Sequence, residues 1–297
     1  MAAGEAYAGL DSALLRQLDT VRFCLKGAQN GRFGGNHPSG RVGTSVDWKD
    51  HVPYAQGDDL RRMDWKIAAR LDKYYIRRTT DEQRLHHQVY VDMSASMGTE
   101  GKGRLAMQLA AALGYLAVHG QDVFSLKLLR GKACVPAADR ILTEEALFHF
   151  AAASAAENFT GDTDLKAAVR RDVSSGGADG LSFLISDLLT DCDWQGVMKE
   201  WIARKRQAVL IQVLSPAEIS PRDSGCFEWQ SIEDEGDLFR VRADRSALKA
   251  YRKAYEVWQK EIGQFCRRNQ IRQVLAVSNE SATDILLKKA YRAEVIR

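Results

Sequence analysis

From Gln88 onward the chain repeats one pattern, a short apolar run followed by a stretch with apolar residues at helical spacing. The runs are Val89 to Val91, Val123 to Leu129, Leu181 to Ile185, Ala208 to Leu214 and Val274 to Val277. Between them, Leu105, Leu109, Leu113 and Leu116 share one helical face. Leu147, Phe148 and Ala151 mark a second helix, Leu165, Ala168 and Val169 a third, and Val197, Trp201 and Ile202 a fourth. This alternation is the signature of βαβ units, so the expected fold class is α/β, a doubly wound, mostly parallel, Rossmann-like sheet. The crossovers are long enough to be helical and right-handed. Arg130-Gly131, ahead of Ala133 to Val135, reads as a hairpin that makes one edge strand antiparallel.

The flanks differ in texture. Residues 11 to 26 place Leu14, Leu18, Val21 and Leu25 on one helical face, and Gly27 to Gly43 reads as a glycine-rich loop. Residues 44 to 85 are dense in charge and tryptophan and are not expected in a sheet core. Residues 216 to 245 interrupt the alternation with Pro216, Pro221 and Gly225, and two short runs around Glu235-Gly236 predict a β-hairpin insertion. A long helix follows, whose stripe of Leu248, Tyr251, Tyr255, Trp258, Ile262 and Phe265 is expected to face the core. The expected division is 1–85, an N-terminal helix with a charged segment, and 86–297, an α/β domain carrying the insertion.

Composition excludes several classes. The 42 basic and 39 acidic residues leave a formal charge of +3, no strong push towards nucleic acid or anionic lipid. The five scattered cysteines suit reduced thiols better than a disulfide framework. The first twenty residues lack a signal-peptide pattern, and no window reaches the roughly 18 apolar residues of a membrane span, so a cytoplasmic protein is expected. The six histidines show no ligand spacing, and there is no Walker loop, dinucleotide fingerprint or G-x-S-x-G elbow.

The chemistry concentrates where the first apolar run ends, in Asp92-Met93-Ser94-Ala95-Ser96. One carboxylate and two hydroxyls at alternate positions on a tight loop form half of a hard-cation site, and such loops lie where open α/β sheets bind ligands. Two later loops offer the remainder: Asn158 to Asp164, with Thr163 just before a helix, and Ser186-Asp187 at the end of the run Leu181 to Ile185. If those two strands are neighbours, the three loops meet. Each piece also has a plainer use, since Asp and Ser favour turns and Thr163 is a suitable helix N-cap.

The order Asp-x-Ser-x-Ser, threonine, aspartate resembles the von Willebrand factor type A fold with its metal-ion-dependent adhesion site. The resemblance implies that Asp92, Ser94, Ser96, Thr163 and Asp187 form the ligand set for Mg²⁺ or another divalent cation. It also implies that the hydroxyls bind directly, that the carboxylates act largely through water, and that one position stays open for an acidic group on a partner.

The segment Tyr54 to Arg70, YAQGDDLRRMDWKIAAR, with Gly40 and Gly43 before it and Glu82 after it, narrows the resemblance. It looks like the bacterial domain-of-unknown-function family 58, over about residues 30 to 290. Val52 stands where that family often has arginine, and the N-terminal membrane hairpin of many members is not expected here. The resemblance implies an interaction protein working beside a MoxR-type AAA+ ATPase. From its residues alone the box reads either as an ion-pair network or as a basic, aromatic surface able to touch nucleic acid. The expected function is therefore a non-enzymatic, metal-dependent interaction module. The competing class is a Mg²⁺-dependent phosphohydrolase, which the first loop suits poorly because it lacks paired carboxylates. Thr163→Val or Asp92→Ala is expected to leave the melting temperature nearly unchanged.

Overall fold

The computed structural model of the 297-residue chain describes residues 10, 12–25, 37–55, 60, 63–71, 73–154, 158–172, 180–189, 193–221, 225–230, 238–243 and 245–297. It forms two compact units, residues 27–85 and a larger unit combining 1–26 with 86–297.

Helix α1 (Ser12–Leu18) opens the larger unit. In the smaller unit β1 (His37–Pro53) and β2 (Tyr75–Gln83) pair antiparallel, with helix α2 (Trp65–Leu71) in the connection. This corrects the reading of residues 37–43 as loop, while residues 27–36 of that stretch lie outside the described residues. Val42, Thr44, Val46, Trp48 and Val52 follow a two-residue period. The pattern was masked by interspersed charge and by register shifts between Pro38 and Val42 and between Gly43 and Trp48. Asp64 begins α2, its Oδ1 accepting the N–H groups of Lys66 at 3.0 Å and Ile67 at 3.2 Å. Asp58, Asp59, Arg61 and Arg62 of the charged box lie outside the described residues.

The larger unit contains, in chain order, β3 (His86–Asp92), β4 (Val123–Arg130), β5 (Ala133–Ile141), β6 (Leu181–Ser186), β7 (Gln207–Leu214), β8 (Gly225–Gln230), β9 (Leu238–Ala243) and β10 (Arg272–Val277). Six of these make one sheet in the order β10-β7-β6-β3-β4-β5. It is parallel except for β5, which runs antiparallel to β4 across the expected hairpin. β8 and β9 form the expected separate antiparallel pair.

Helices cover both faces. Val89, Val91, Phe183, Ile185, Val209 and Ile211 point to a core shared with α1, with α3 (Lys102–His119), with α4 (Glu144–Ser154) and with the C-terminal residues Ile285, Leu286, Val295 and Ile296. The alternate residues Tyr90, Leu184, Ala208 and Leu210 face a second core with α5 (Leu165–Arg171), α6 (Trp194–Ala203) and, beyond the short α7 (Pro216–Ile219), the long α8 (Arg245–Arg268). That alternation on strands apolar on both sides is what a sheet between two helix layers requires. The stripe on α8 meets the core from Trp258 onward: Ile262 is buried and Trp258 and Phe265 pack against the second core partly buried, whereas Tyr251 is 38% exposed and Leu248 and Tyr255 are half-buried. A helical stripe marks an amphipathic helix without saying how far along its length the cover extends.

The amino ends of the strands carry a buried polar network. Ser125 Oγ donates to Asp139 Oδ1 at 3.0 Å and accepts the Arg140 N–H at 2.9 Å, so it must accept from His86 Nε2 at 2.8 Å. That leaves His86 Nδ1 buried without a hydrogen-bond partner. Burial first, then the charges of Arg206, Arg140 and Lys127, outweigh Asp139 and push the His86 pKa down to about 4. Neutral His86 therefore stabilises the fold fully above pH 6.5, and that contribution is lost as pH falls from there through 4. The loss should approach about 2–3 kcal/mol. Urea midpoints between pH 7 and pH 4.5 should fall less steeply for His86→Gln, and parallel curves would rule the assignment out.

Candidate functional site

β3 ends at the centre of the sheet, and its register against β6 pairs Val91 with Ile185. The next residues, Asp92 and Ser186, meet, Ser186 Oγ donating to Asp92 Oδ2 at 2.7 Å. Asp92 Oδ1 accepts the Ser94 N–H at 3.0 Å, which curls the chain into the turn that presents Ser94 and Ser96. Their hydroxyl oxygens stand 3.1 Å apart. The loop from Asn158 is bonded to this turn through its backbone: Thr160 N–H donates to Met93 O at 2.9 Å, and Ala95 N–H donates to Gly161 O at 2.8 Å. That brings the Thr163 hydroxyl to Asp92, with Leu129 O also accepting it at 3.4 Å.

Thr163 is not the N-cap of α5. Asp164 is, accepting the Ala167 N–H at 2.9 Å, so the Thr163 hydroxyl is left for the site. Asp187 completes the cluster, with Oδ1 accepting the Leu189 N–H at 3.1 Å and Oδ2 accepting from Lys102 Nζ at 2.8 Å. Asp92, Ser94 and Asp187 have no exposed surface, Thr163 almost none, and Ser96 is half-buried at the mouth. All five residues singled out from the sequence thus lie at one spot, at the carboxyl ends of β3 and β6.

The electrostatics are uneven. Burial drives the Asp92 pKa up to about 6, with the Asp187 charge adding to it, against hydrogen bonds from Ser186, the Ser94 backbone and Thr163. Lys102 is opposite in outcome: burial opposes its charge, but Asp187 and Glu218 outweigh that and hold it above the ordinary lysine value. Lys102 and Glu218 were not read from the sequence, and Ser186 was read only as the residue before Asp187, not as a partner of Asp92. The available signal was a lysine opening α3, where the positive end of the helix dipole disfavours a cation unless something else holds it.

Adjacent oxygens of an octahedron with bonds of about 2.1 Å are about 3 Å apart, so the Ser94 and Ser96 hydroxyls fit two neighbouring corners around a small divalent ion. Among the described residues no group of three His, Cys, Asp or Glu side chains is arranged to hold a metal. An ion here would rest on hydroxyls plus Asp92 and Asp187.

A family described as "Protein of unknown function DUF58" matches residues 50–261. The chain belongs to this family. The DUF58 match takes in all five site residues and Lys102. Its relatives include an uncharacterised protein of Mycobacterium tuberculosis, Rv1480, 28% identical over 229 residues that cover 75% of this chain and 72% of the relative. The Mycobacterium bovis protein Mb1516 matches equally. Among solved structures, the VWA domain of SpRpn10 is similar over 69% of this chain and 94% of that domain, at 8% identity and a TM-score of 0.36. Proximal thread matrix protein 1 from the mussel byssus is similar over 44% of this chain but spans only 38% of its own length, at 14% identity and a TM-score of 0.35. No described helix of this DUF58 chain is long and apolar enough to cross a membrane.

Phe159 holds the second loop in place by sitting in a notch made by two glycines. A Cβ on Gly103 would stand 2.4 Å from the Phe159 ring, and one on Gly98 would stand 2.9 Å from Phe159 Cβ. Gly103→Ala should therefore cost about 1–3 kcal/mol by overpacking. In a Phe159→Ala background the same change should cost far less, which a double-mutant cycle in urea reads directly. Equal costs in both backgrounds would mean the notch does not hold the loop.

Proposed function

We propose that the chain is a non-enzymatic, metal-dependent protein–protein interaction module. In this reading Asp92, Ser94, Ser96, Thr163 and Asp187 hold Mg²⁺ or another divalent cation, and an acidic group of a protein partner takes the open position. What supports the reading most is the hydroxyl pair of Ser94 and Ser96, 3.1 Å apart, beside a buried Asp92 carboxylate whose hydrogen bonds come from an N–H and hydroxyls. The bound ion supplies an electrophile held by neutral oxygens, which favours an outside carboxylate. The chain's own part is to fix the two hydroxyls and to shield Asp92 from water. The partner expected for a member of this family is a MoxR-type AAA+ ATPase.

The phosphohydrolase alternative gains little. Asp92, the carboxylate that would act as nucleophile, has no exposed surface and both oxygens already accept hydrogen bonds. His86 and His87 lie at the far end of β3, roughly 20 Å away at about 3.3 Å per residue.

Asp92 holds Ser94 and Ser186 as well as facing the ion, so Asp92→Ala should also destabilise the fold, and Thr163→Val is the cleaner probe. At about 1 mM Mg²⁺ and a dissociation constant of about 0.1–1 mM, ion binding stabilises by only about 0.4–1.4 kcal/mol. Thr163→Val should thus melt within a few degrees of the parent yet bind Mn²⁺ at least tenfold more weakly by titration calorimetry. A purified MoxR-type ATPase should be retained on the immobilised parent protein in Mg²⁺ and lost in EDTA. Retention unchanged by EDTA and by Thr163→Val would sink the metal-dependent reading.

A further inference from the structure

Lys102 has no exposed surface although it carries a charge, a placement found almost only where the charge is answered nearby. Its Nζ donates to Asp187 Oδ2 at 2.8 Å and to Glu218 Oε1. Three separate segments build this contact. Gly101, at φ +76°, turns the chain into α3 so that Lys102 enters at its first position. Asp187 follows β6. Glu218 is held in the capping box of α7, its Oε2 accepting the Ser215 N–H at 2.7 Å. The result is an ammonium fixed against one of the two carboxylates of the candidate ion site.

We propose that Lys102 is a built-in counter-cation that keeps the site folded without metal and holds its affinity for divalent ions low. The inference rests on the proposed ion site. An incoming divalent ion meets Asp187 already engaged by the chain's own positive charge, and the two cations repel across a site from which water is largely excluded. Among the described residues no cation pairs with Asp92, so the ion is left to Asp92 and the hydroxyls. An acidic group arriving from a partner offsets the repulsion, which makes ion and partner binding mutually reinforcing. Without Lys102, the buried Asp187 and the partly exposed Glu218 would lack their cation, and the fold itself would come to depend on metal.

The test compares the parent, Lys102→Gln, Lys102→Arg and the double variant Lys102→Gln/Glu218→Gln, in which one of the two orphaned carboxylates is also removed. Mn²⁺ binding is followed by electron paramagnetic resonance, and melting temperature is measured in EDTA and in 5 mM Mg²⁺, a concentration of about 5–50 times the dissociation constant assumed above. The expected result is at least tenfold tighter Mn²⁺ binding for Lys102→Gln, or for the double variant if the single one is too unstable in EDTA, with Lys102→Arg staying near the parent. Lys102→Gln should also gain much more melting temperature from Mg²⁺ than the parent does. Equal or weaker Mn²⁺ binding in both neutral variants overturns the inference and leaves the ion site standing. Failure of every protein to bind Mn²⁺ overturns both.

Discussion

The site depends on the parallel pairing of β3 with β6. Because that pairing aligns Val91 with Ile185, the residues that follow, Asp92 and Ser186, fall side by side and bond, and Asp187 enters the same spot. A shift of one residue would turn every side chain on β6 to the opposite face and carry Asp187 away. The register is pinned at the other end by Gly180, where φ is +132° and a Cβ would stand 2.2 Å from His86 O. Only glycine allows the chain to cross so close to the start of β3. A backbone constraint at one end of the strands thus decides which side chains meet at the other.

The two ends of the sheet handle buried polar groups by different means. At the amino ends His86 is uncharged beside Ser125, the buried Asp122 carboxylate meets His87 Nε2 at 3.1 Å, and the guanidinium of Arg206 is taken up by His86 O at 2.7 Å and Leu181 O at 3.2 Å. At the carboxyl ends the groups stay acidic and are answered by N–H groups, hydroxyls and one ammonium. Desolvating a charge costs several kcal/mol unless it is paired and hydrogen-bonded, so each end carries a full set of partners for its carboxylates or carbonyls.

Most of the fold was legible in the sequence because apolar runs and helical spacing record burial directly. The parallel strands, the antiparallel β4–β5 edge and the β8–β9 pair follow from such signals, whereas the pairing of β3 with β6 entered the sequence reading only as a condition, because periodicity does not record strand order. β1 and β2 were missed because their two-residue period is diluted by charge and broken by register shifts. The candidate site was legible as a set of residue types at strand ends, Asp92, Ser94, Ser96, Thr163 and Asp187. What sequence could not supply was the company they keep. Glu218 lies 116 residues from Lys102, and only the folded sheet brings α7 to the start of α3. The role of Phe159 was equally hidden, since it consists of the space that Gly98 and Gly103 leave open.

The hydrogen bonds at the carboxyl end bear on how an ion could act there. Both oxygens of Asp92, both of Asp187 and both of Glu218 already accept from groups of the chain. In a structural metal site the ligands are brought together by the ion, and binding it is the same event as folding. Here the side chains are held by the chain's own hydrogen bonds, so an ion bound at this spot, as proposed, would add little to stability and could come and go. That is the property a recognition site needs, because the free energy of holding the ion can then depend on what else is bound beside it.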